Sequence, residues 1–330
     1  MEMNAEIKAM LLSIGSADID EDLLREASRT TTPSAGPGAG LESFFLKSGG
    51  HRVRLSINKN SPLKVIRCCT DVVVIKDGKS IVTGKLEPAL SHCPEQAYLT
   101  ISGQCIYDCK FCPVPKLNGE VKVLDEILQL VEEAKRTGQL KAISLTSGVE
   151  RSPEDEVRKA VSIVKALRAR YDLPIGVSVY PTDASSEELK QAGATEIKYN
   201  VETMDPKIFA RVCPGLSLEY VLKSLEKAVK IFGKNRVTSN FILGLGESDE
   251  CVLAGVTKLT EMGVIAILRP ISPHPLRKGD VEVERPSAER LLRLAKATRK
   301  VLEDHGLRAD VAETMCLSCT GCDIVSHRDI

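Results

Sequence analysis

Nowhere in the chain does an apolar run approach the roughly 18 residues of a membrane span. No basic-then-apolar segment opens it either; "MEMNAEIKAMLLSIGSADIDEDLLREA" carries acids throughout. Neither a bilayer span nor a secretory leader is expected, and the expected setting is cytoplasmic. Net charge is missing too. Forty-five basic residues balance forty-five acidic ones, so no overall field draws the protein to nucleic acid or an anionic membrane. Repeats of solenoid length are absent, as is low-complexity sequence beyond one Gly/Pro stretch. What the 330 residues do contain is 43% hydrophobic side chains, enough to bury the core of one large domain or two ordinary ones.

Paired cysteines of a disulfide framework are not expected in a reducing compartment, and the eleven cysteines are an odd number. Metal binding or catalysis is the better use for them. Six fall into two tight triplets, Cys105, Cys109 and Cys112 in "GQCIYDCKFCPVP" and Cys316, Cys319 and Cys322 in "CLSCTGC". The other five, Cys68, Cys69, Cys93, Cys213 and Cys251, are scattered. Packing is the default for these, although one of Cys68, Cys69 and Cys93 could complete a second site.

The chain divides into three parts. Residues 1–95 read as a small α+β accessory region: helical patterns at 3–14 and 19–29, the loop "TTTPSAGPGAG", then alternating runs "SFFLKS", "HRVRLSI" and "DVVVIKDGKSIVTG" with a hairpin signal at Asp77-Gly78. Residues 96–312 alternate strand and helix through about six βα units, from "AYLTISG" to "SAERLLRLAKATRKVLEDHG". That order implies an α/β fold with a parallel sheet curled into a full or partial barrel. Residues 313–330 form a cysteine-rich tail. The chemistry of such a barrel sits at the carboxyl ends of its strands, and the first triplet follows the first strand.

A zinc site wants a second C-x2-C or C-x2-H pair within a short distance, and none follows Cys112. Three thiolates on one loop can instead hold three irons of a four-iron, four-sulfur (4Fe-4S) cluster and leave the fourth iron open. The spacing C-x3-C-x-Φ-C, with Phe111 at Φ after the first strand of a βα barrel, resembles the radical S-adenosylmethionine (SAM) superfamily. That resemblance implies a cluster on Cys105, Cys109 and Cys112, with SAM on its open iron as the source of a 5′-deoxyadenosyl radical. It further implies SAM-binding roles for Phe111, for Ser147 and Glu150 of "LTSGVE", for Asn200 and Glu202 of "YNVET", and for Ile242 and Glu247 of "NFILGLGE". In that last motif Asn240 stands in place of the first glycine of the family pattern. Arg269, ending the last strand, could pair with the SAM carboxylate or with substrate.

From about residue 97 to 300 the chain looks like the core of lipoyl synthase, with biotin synthase a more distant relative. Three departures stand out. Cys213 replaces an arginine in the turn after "YNVET", the expected cysteine pattern before the barrel is missing, and the chain ends in "MCLSCTGCDIVSHRDI". The resemblance therefore points to the two-protein lipoyl synthases of archaea and some bacteria. Implied partners are a lipoyl carrier protein or domain bearing an octanoyl-lysine, a second radical SAM subunit, and an electron donor such as ferredoxin; nucleic acid and membrane are not expected. The alternatives are another biotin-synthase-like radical SAM enzyme, rearranging or methylthiolating, or a non-catalytic metal-cluster protein. Cys316, Cys319 and Cys322 have a C-x2-C-x2-C spacing that supports iron-sulfur ligation. They suggest a second 4Fe-4S cluster as sulfur donor, on a tail folded over the barrel mouth, with a zinc knuckle as the alternative.

Overall fold

The computed structural model describes residues 1–26 and 32–330. The first part is a closed six-stranded barrel. Helix α1 (Ala5–Ile14), strand β1 (Ser16–Ile19) and helix α2 (Glu21–Glu26) precede strands β2 (Ser43–Ser48), β3 (His51–Ile57), β4 (Leu63–Cys68), β5 (Asp71–Lys76) and β6 (Lys79–Glu87). Their order around the barrel is β1-β3-β2-β6-β5-β4. Hairpin pairing accounts for β2–β3, β4–β5 and β5–β6, and the Asp77-Gly78 turn has positive φ at both residues, as a tight hairpin requires. Closure depends on β1, which pairs in parallel with both β3 and β4. Where a helix is expected from residue 19, the chain has a four-residue strand and then a six-residue helix. Residues 27–29 of that expected helix, and Thr30 and Thr31 of the following loop, lie outside the described residues.

The second part is the βα series. Strands β7 (Gln96–Thr100), β8 (Ala142–Thr146), β9 (Ile175–Ser178), β10 (Glu196–Lys198), β11 (Val237–Leu243) and β12 (Ile265–Pro270) form one parallel sheet in sequential order. Each neighbouring pair is parallel. Helices α3 (Leu124–Arg136), α4 (Pro153–Arg168), α5 (Ser185–Ala192), α6 (Pro206–Val212), α7 (Leu218–Phe232), α8 (Asp249–Glu261) and α9 (Ala288–Asp304) follow these strands. The amphipathic face expected for α3 is borne by buried Ile127, Val131 and Ala134. Ser152 caps α4 by accepting from the Asp155 N–H, with Pro153 in the first turn. Six strands make an open, partial barrel, so the full-barrel alternative is discarded. Helix α6 was not expected; its "DPKIFARV" is too short to show a helical period, and Asp205 starts it by capping Lys207 and Ile208.

Every second residue of the parallel strands faces the barrel interior, and near the strands' amino ends those positions are polar or small: Gln96, Ser144, Gly176 and Glu196. The chain's tail occupies that end. Glu196 accepts from the N–H groups of Glu313 and Thr314 at 2.9 and 3.0 Å and from the Thr314 hydroxyl at 2.5 Å. The Met315 N–H donates to Gln96 and Ser144 at 2.8 and 2.9 Å, and the Gln96 amide returns a bond to the Met315 carbonyl at 3.0 Å. The short helix α10 (Met315–Cys319) then enters the interior. The tail is thus not a flap over the mouth at the carboxyl ends of the strands; it plugs the opposite end. The physical reason is that Glu196 and Gln96 are buried and polar, and the tail backbone satisfies them.

The barrel of the first part clamps the other face of the tail. Lys8, wholly buried, donates to Asp329 and to the Thr320 carbonyl, each at 2.6 Å, and His51 meets the other Asp329 oxygen at 2.9 Å. The Arg54 N–H donates to the Gly321 carbonyl at 2.7 Å, and Arg52 to that of Cys319 at 3.0 Å. One continuous apolar core joins the two parts, running from Leu46, Val53 and Leu55 to Leu99, Ile143 and Val177.

Gly176 is the tightest point of this assembly. A Cβ there would lie 2.1 Å from the Thr314 hydroxyl and 2.7 Å from its Cβ. Gly176→Ala is therefore expected to lower stability by about 1–3 kcal/mol, the usual cost of overpacking a core, and to loosen the tail. A thermal melt combined with limited proteolysis checks this; a tail as protease-resistant as in the wild type would show that the contact is not limiting.

Candidate active site

A cavity of about 210 Å³ runs through the partial barrel, and both cysteine triplets line it. The first triplet sits on the loop after β7, at the strands' carboxyl ends. Backbone bonds fix the loop: Ile106 donates to Val149 and Lys110 to Val212, at 2.7 and 2.8 Å, and Cys112 turns back onto Cys109 at 2.9 Å. Gly148 has to be glycine, because a Cβ there would stand 2.2 Å from the Gln104 carbonyl oxygen. Burial raises the Cys105 thiol and pushes that of Cys112 up to about 12. The free site therefore favours thiols, and conversion to thiolates has to accompany metal binding.

Phe111 is buried against the same cavity, in an apolar group with Phe209, Val212, Cys213, Ile242 and Ile271. Ser147, Asn200, Glu202 and Ile242 also reach the cavity wall. Ser147 accepts from the Ser102 N–H and donates to Glu156. Asn200 accepts from the Asn240 N–H at 3.3 Å and hydrogen-bonds Glu202. Glu202 stands at φ 58°, a left-handed conformation unusual for a glutamate and pinned here by bonds on both sides to β11: its N–H to Asn240 at 3.0 Å, and its carbonyl from Ile242 at 2.7 Å. Burial raises its carboxyl to about 7, against the pull of Lys198 and Asn200.

Three expected site residues are engaged elsewhere. Glu150 does not line the cavity; it ion-pairs with Lys159 on α4, which draws it away. Glu247 is buried behind the wall, where its carboxylate accepts from the Gly244 and Leu245 N–H groups at 2.8 Å each and from Arg290 at 3.1 Å. It shapes the turn after β11 and holds no ligand-facing position. Arg269 does line the cavity, but its guanidinium is spent on Asp323 of the tail, at 2.8 and 3.0 Å.

At the other end of the cavity, Cys316, Cys319 and Cys322 are surrounded by cations. Lys198 Nζ lies 3.4 Å from Cys316 Sγ and 3.3 Å from the Tyr98 hydroxyl. Although burial, the largest influence, opposes its charge, Cys316 and Tyr98 hold its pKa above the ordinary lysine value. Arg54 approaches Cys322 Sγ at 4.0 Å. A hydrogen bond from Cys93 lowers Cys319 to about 7, with Arg52 adding to the effect against burial. Lys198 and Tyr98 were missed from sequence, where Cys93 stood as one of three cysteines that could complete a second site. A signal for Lys198 was present: in "EIKYNVE" the polar residues Glu196, Lys198, Asn200 and Glu202 alternate with apolar ones, which places all four on one face of the strand.

Among the described residues, no three His, Cys, Asp or Glu side chains converge closely enough to hold a single metal ion. Each thiolate of a four-iron cluster takes its own iron, so its cysteines need not meet at one point. No helix among the described residues is long and apolar enough to cross a membrane.

The chain is an α/β protein with a cysteine triad on the loop after the first strand of a partial βα barrel, opening into a polar-walled cavity. Residues 99–256 match the Radical SAM superfamily profile. It is 31% identical over 176 residues to a bacteriochlorophyllide c C-7(1)-hydroxylase of Chlorobaculum limnaeum, covering 49% of this chain and 43% of the relative. It is 30% identical over 190 residues to a biotin synthase of a Hydrogenobaculum species, covering 53% and 55%. The chain thus spans about half the length of each. Among solved structures, the [FeFe]-hydrogenase maturase HydG of Carboxydothermus hydrogenoformans superposes with a TM-score of 0.54 at 19% identity, over 64% of this chain and 52% of that one. That likeness establishes the fold.

Proposed function

We propose that the protein is a radical SAM enzyme that inserts sulfur into an aliphatic chain, acting on an octanoyl group held by a carrier-protein lysine on its way to lipoyl. The observation that carries this reading is the meeting of two cysteine triplets, some two hundred residues apart in sequence, at opposite ends of one cavity. A radical generator at one end and a sulfur store at the other is what insertion into an unactivated carbon requires. The biotin synthase similarity supports the same class of chemistry.

Cys105, Cys109 and Cys112 would hold a 4Fe-4S cluster. With SAM bound, that cofactor supplies a 5′-deoxyadenosyl radical able to take hydrogen from a C–H bond. Asn200 and Glu202, fixed by β11, present polar groups to the SAM side of the cavity, and Phe111 and Ile242 give it an apolar wall. Cys316, Cys319 and Cys322 would hold a second cluster, from which the sulfur comes. The cationic setting fits this: Lys198 is buried with a hydroxyl and a thiol as its hydrogen-bond partners, and a buried ammonium needs an anion nearby. The tail plug and the buried walls keep water from the transient carbon radical.

A second radical SAM subunit and a one-electron donor such as ferredoxin complete the proposed system. The test is anaerobic incubation of the protein with SAM, reductant, the partner subunit and an octanoylated carrier peptide, followed by mass spectrometry. Mass gain from sulfur on the peptide is expected. Deoxyadenosine release with an unmodified peptide would refute the assigned substrate.

A further inference from the structure

We propose that Cys93 is the fourth protein ligand at the tail site, so that four thiolates from two separate segments close it. The inference rests on the reading of Cys316, Cys319 and Cys322 as cluster ligands. Cys93 lies in the connection between β6 and β7, far from the tail in sequence. It is wholly buried and packs in one group with Phe45, Ala89, Tyr98, Met315 and Cys319. Its thiol lies within hydrogen-bonding reach of that of Cys319.

The placement is built rather than incidental. The Cys93 carbonyl accepts from Leu90 at 3.1 Å, and Cys93 bridges to Gln96. Gln96 in turn holds Met315 from both sides, at 2.8 and 3.0 Å. One side chain therefore ties the segment carrying Cys93 to the residue preceding Cys316. The competing cysteines are elsewhere: Cys68 and Cys69 are exposed at the end of β4.

The charge around the tail cysteines favours a fourth thiolate. Five cations lie around the tail cysteines, Arg285 among them through its attraction to Cys322. Arg269 is neutralised by Asp323, and Arg52 by Glu87 and Glu95. Lys198 bonds Tyr98 and Cys316 and also attracts the Glu202 carboxyl, and Arg54 bonds Ser43 and Cys322. These cations outnumber the carboxylates that face them, so the more negative occupant suits the site better. Four thiolates on a doubly positive 4Fe-4S core form a dianion, whereas three leave a monoanion.

The test uses full-length chains in which Cys105, Cys109 and Cys112 are alanine, so that only the tail site takes up iron. This parent, its Cys93→Ala derivative and its Cys93→Ser derivative are reconstituted anaerobically with iron and sulfide. Iron, sulfide, retention against a chelator and the electron paramagnetic resonance spectrum of the reduced protein are measured. The parent is expected to hold a four-iron cluster. Cys93→Ala should lose its iron to the chelator roughly tenfold faster or more. Cys93→Ser should keep iron with shifted g-values, since oxygen would replace one sulfur ligand. Retention and spectrum identical to the parent in both variants would overturn the assignment of Cys93 alone. A parent that binds no iron, or zinc without sulfide, would overturn the second-cluster reading and this inference with it.

Discussion

A chain in which Cys316, Cys319 and Cys322 are all alanine is expected to cleave SAM at close to the wild-type rate and to form no thiolated product. The two triplets lie at opposite ends of the cavity, so removing the tail thiols leaves the loop after β7 and its backbone bonds to Val149 and Val212 intact. The tail should stay docked, because Glu196, Gln96 and Ser144 hold it through the backbone of residues 313–315 and the Thr314 hydroxyl, with no thiol involved. A modest loss of stability is also expected, since Lys198 loses its Cys316 partner in a buried setting. Deoxyadenosine and peptide-bound sulfur are measured in the same reaction. Thiolated peptide from the triple variant would end the sulfur-donor assignment of the tail, whatever metal the tail binds.

Alanine at Cys105, Cys109 and Cys112 should have the opposite signature. Deoxyadenosine formation is expected to fall by at least about 10^6-fold, below detection, because the variant removes the chemical centre rather than a group that orients it. Iron bound at the tail should remain. The fold should survive, since the loop is held by backbone hydrogen bonds and by Phe111 in its apolar group. The measurements are anaerobic deoxyadenosine release and iron content. Persistent SAM cleavage would remove these cysteines from the radical chemistry.

The contrast between the two variants rests on a difference in what each triplet is attached to. The first is local: its three thiols fall within eight residues of one loop, so spacing alone predicts that they face a common ligand. The second is assembled. Its cysteines are close in sequence, but their setting comes from Lys198 on β10, from Arg52 and Arg54 on β3, and from Cys93 before β7.

Hydrophobic periodicity and turn residues determined the βα series, the carboxyl-end position of Cys105, Cys109 and Cys112, the alternating runs at 43–48 and 51–57 and the hairpin at 71–84, because those features depend on contacts within a strand, a helix or one turn. Closure of the first barrel did not, since β1 is four residues long and gains its place only by pairing with β3 and β4. Glu150 and Glu247 sat at family-like positions in sequence, yet an ion pair with Lys159 and two backbone N–H groups of a turn claim their carboxylates. The direction of the tail was likewise decided by tertiary structure. Buried Glu196 and Gln96 need partners at the amino ends of the strands, and the tail backbone supplies them. A polar side chain's partner is set by whatever the fold brings within about 3 Å of it, and for these residues that partner lies a hundred or more positions away in the chain.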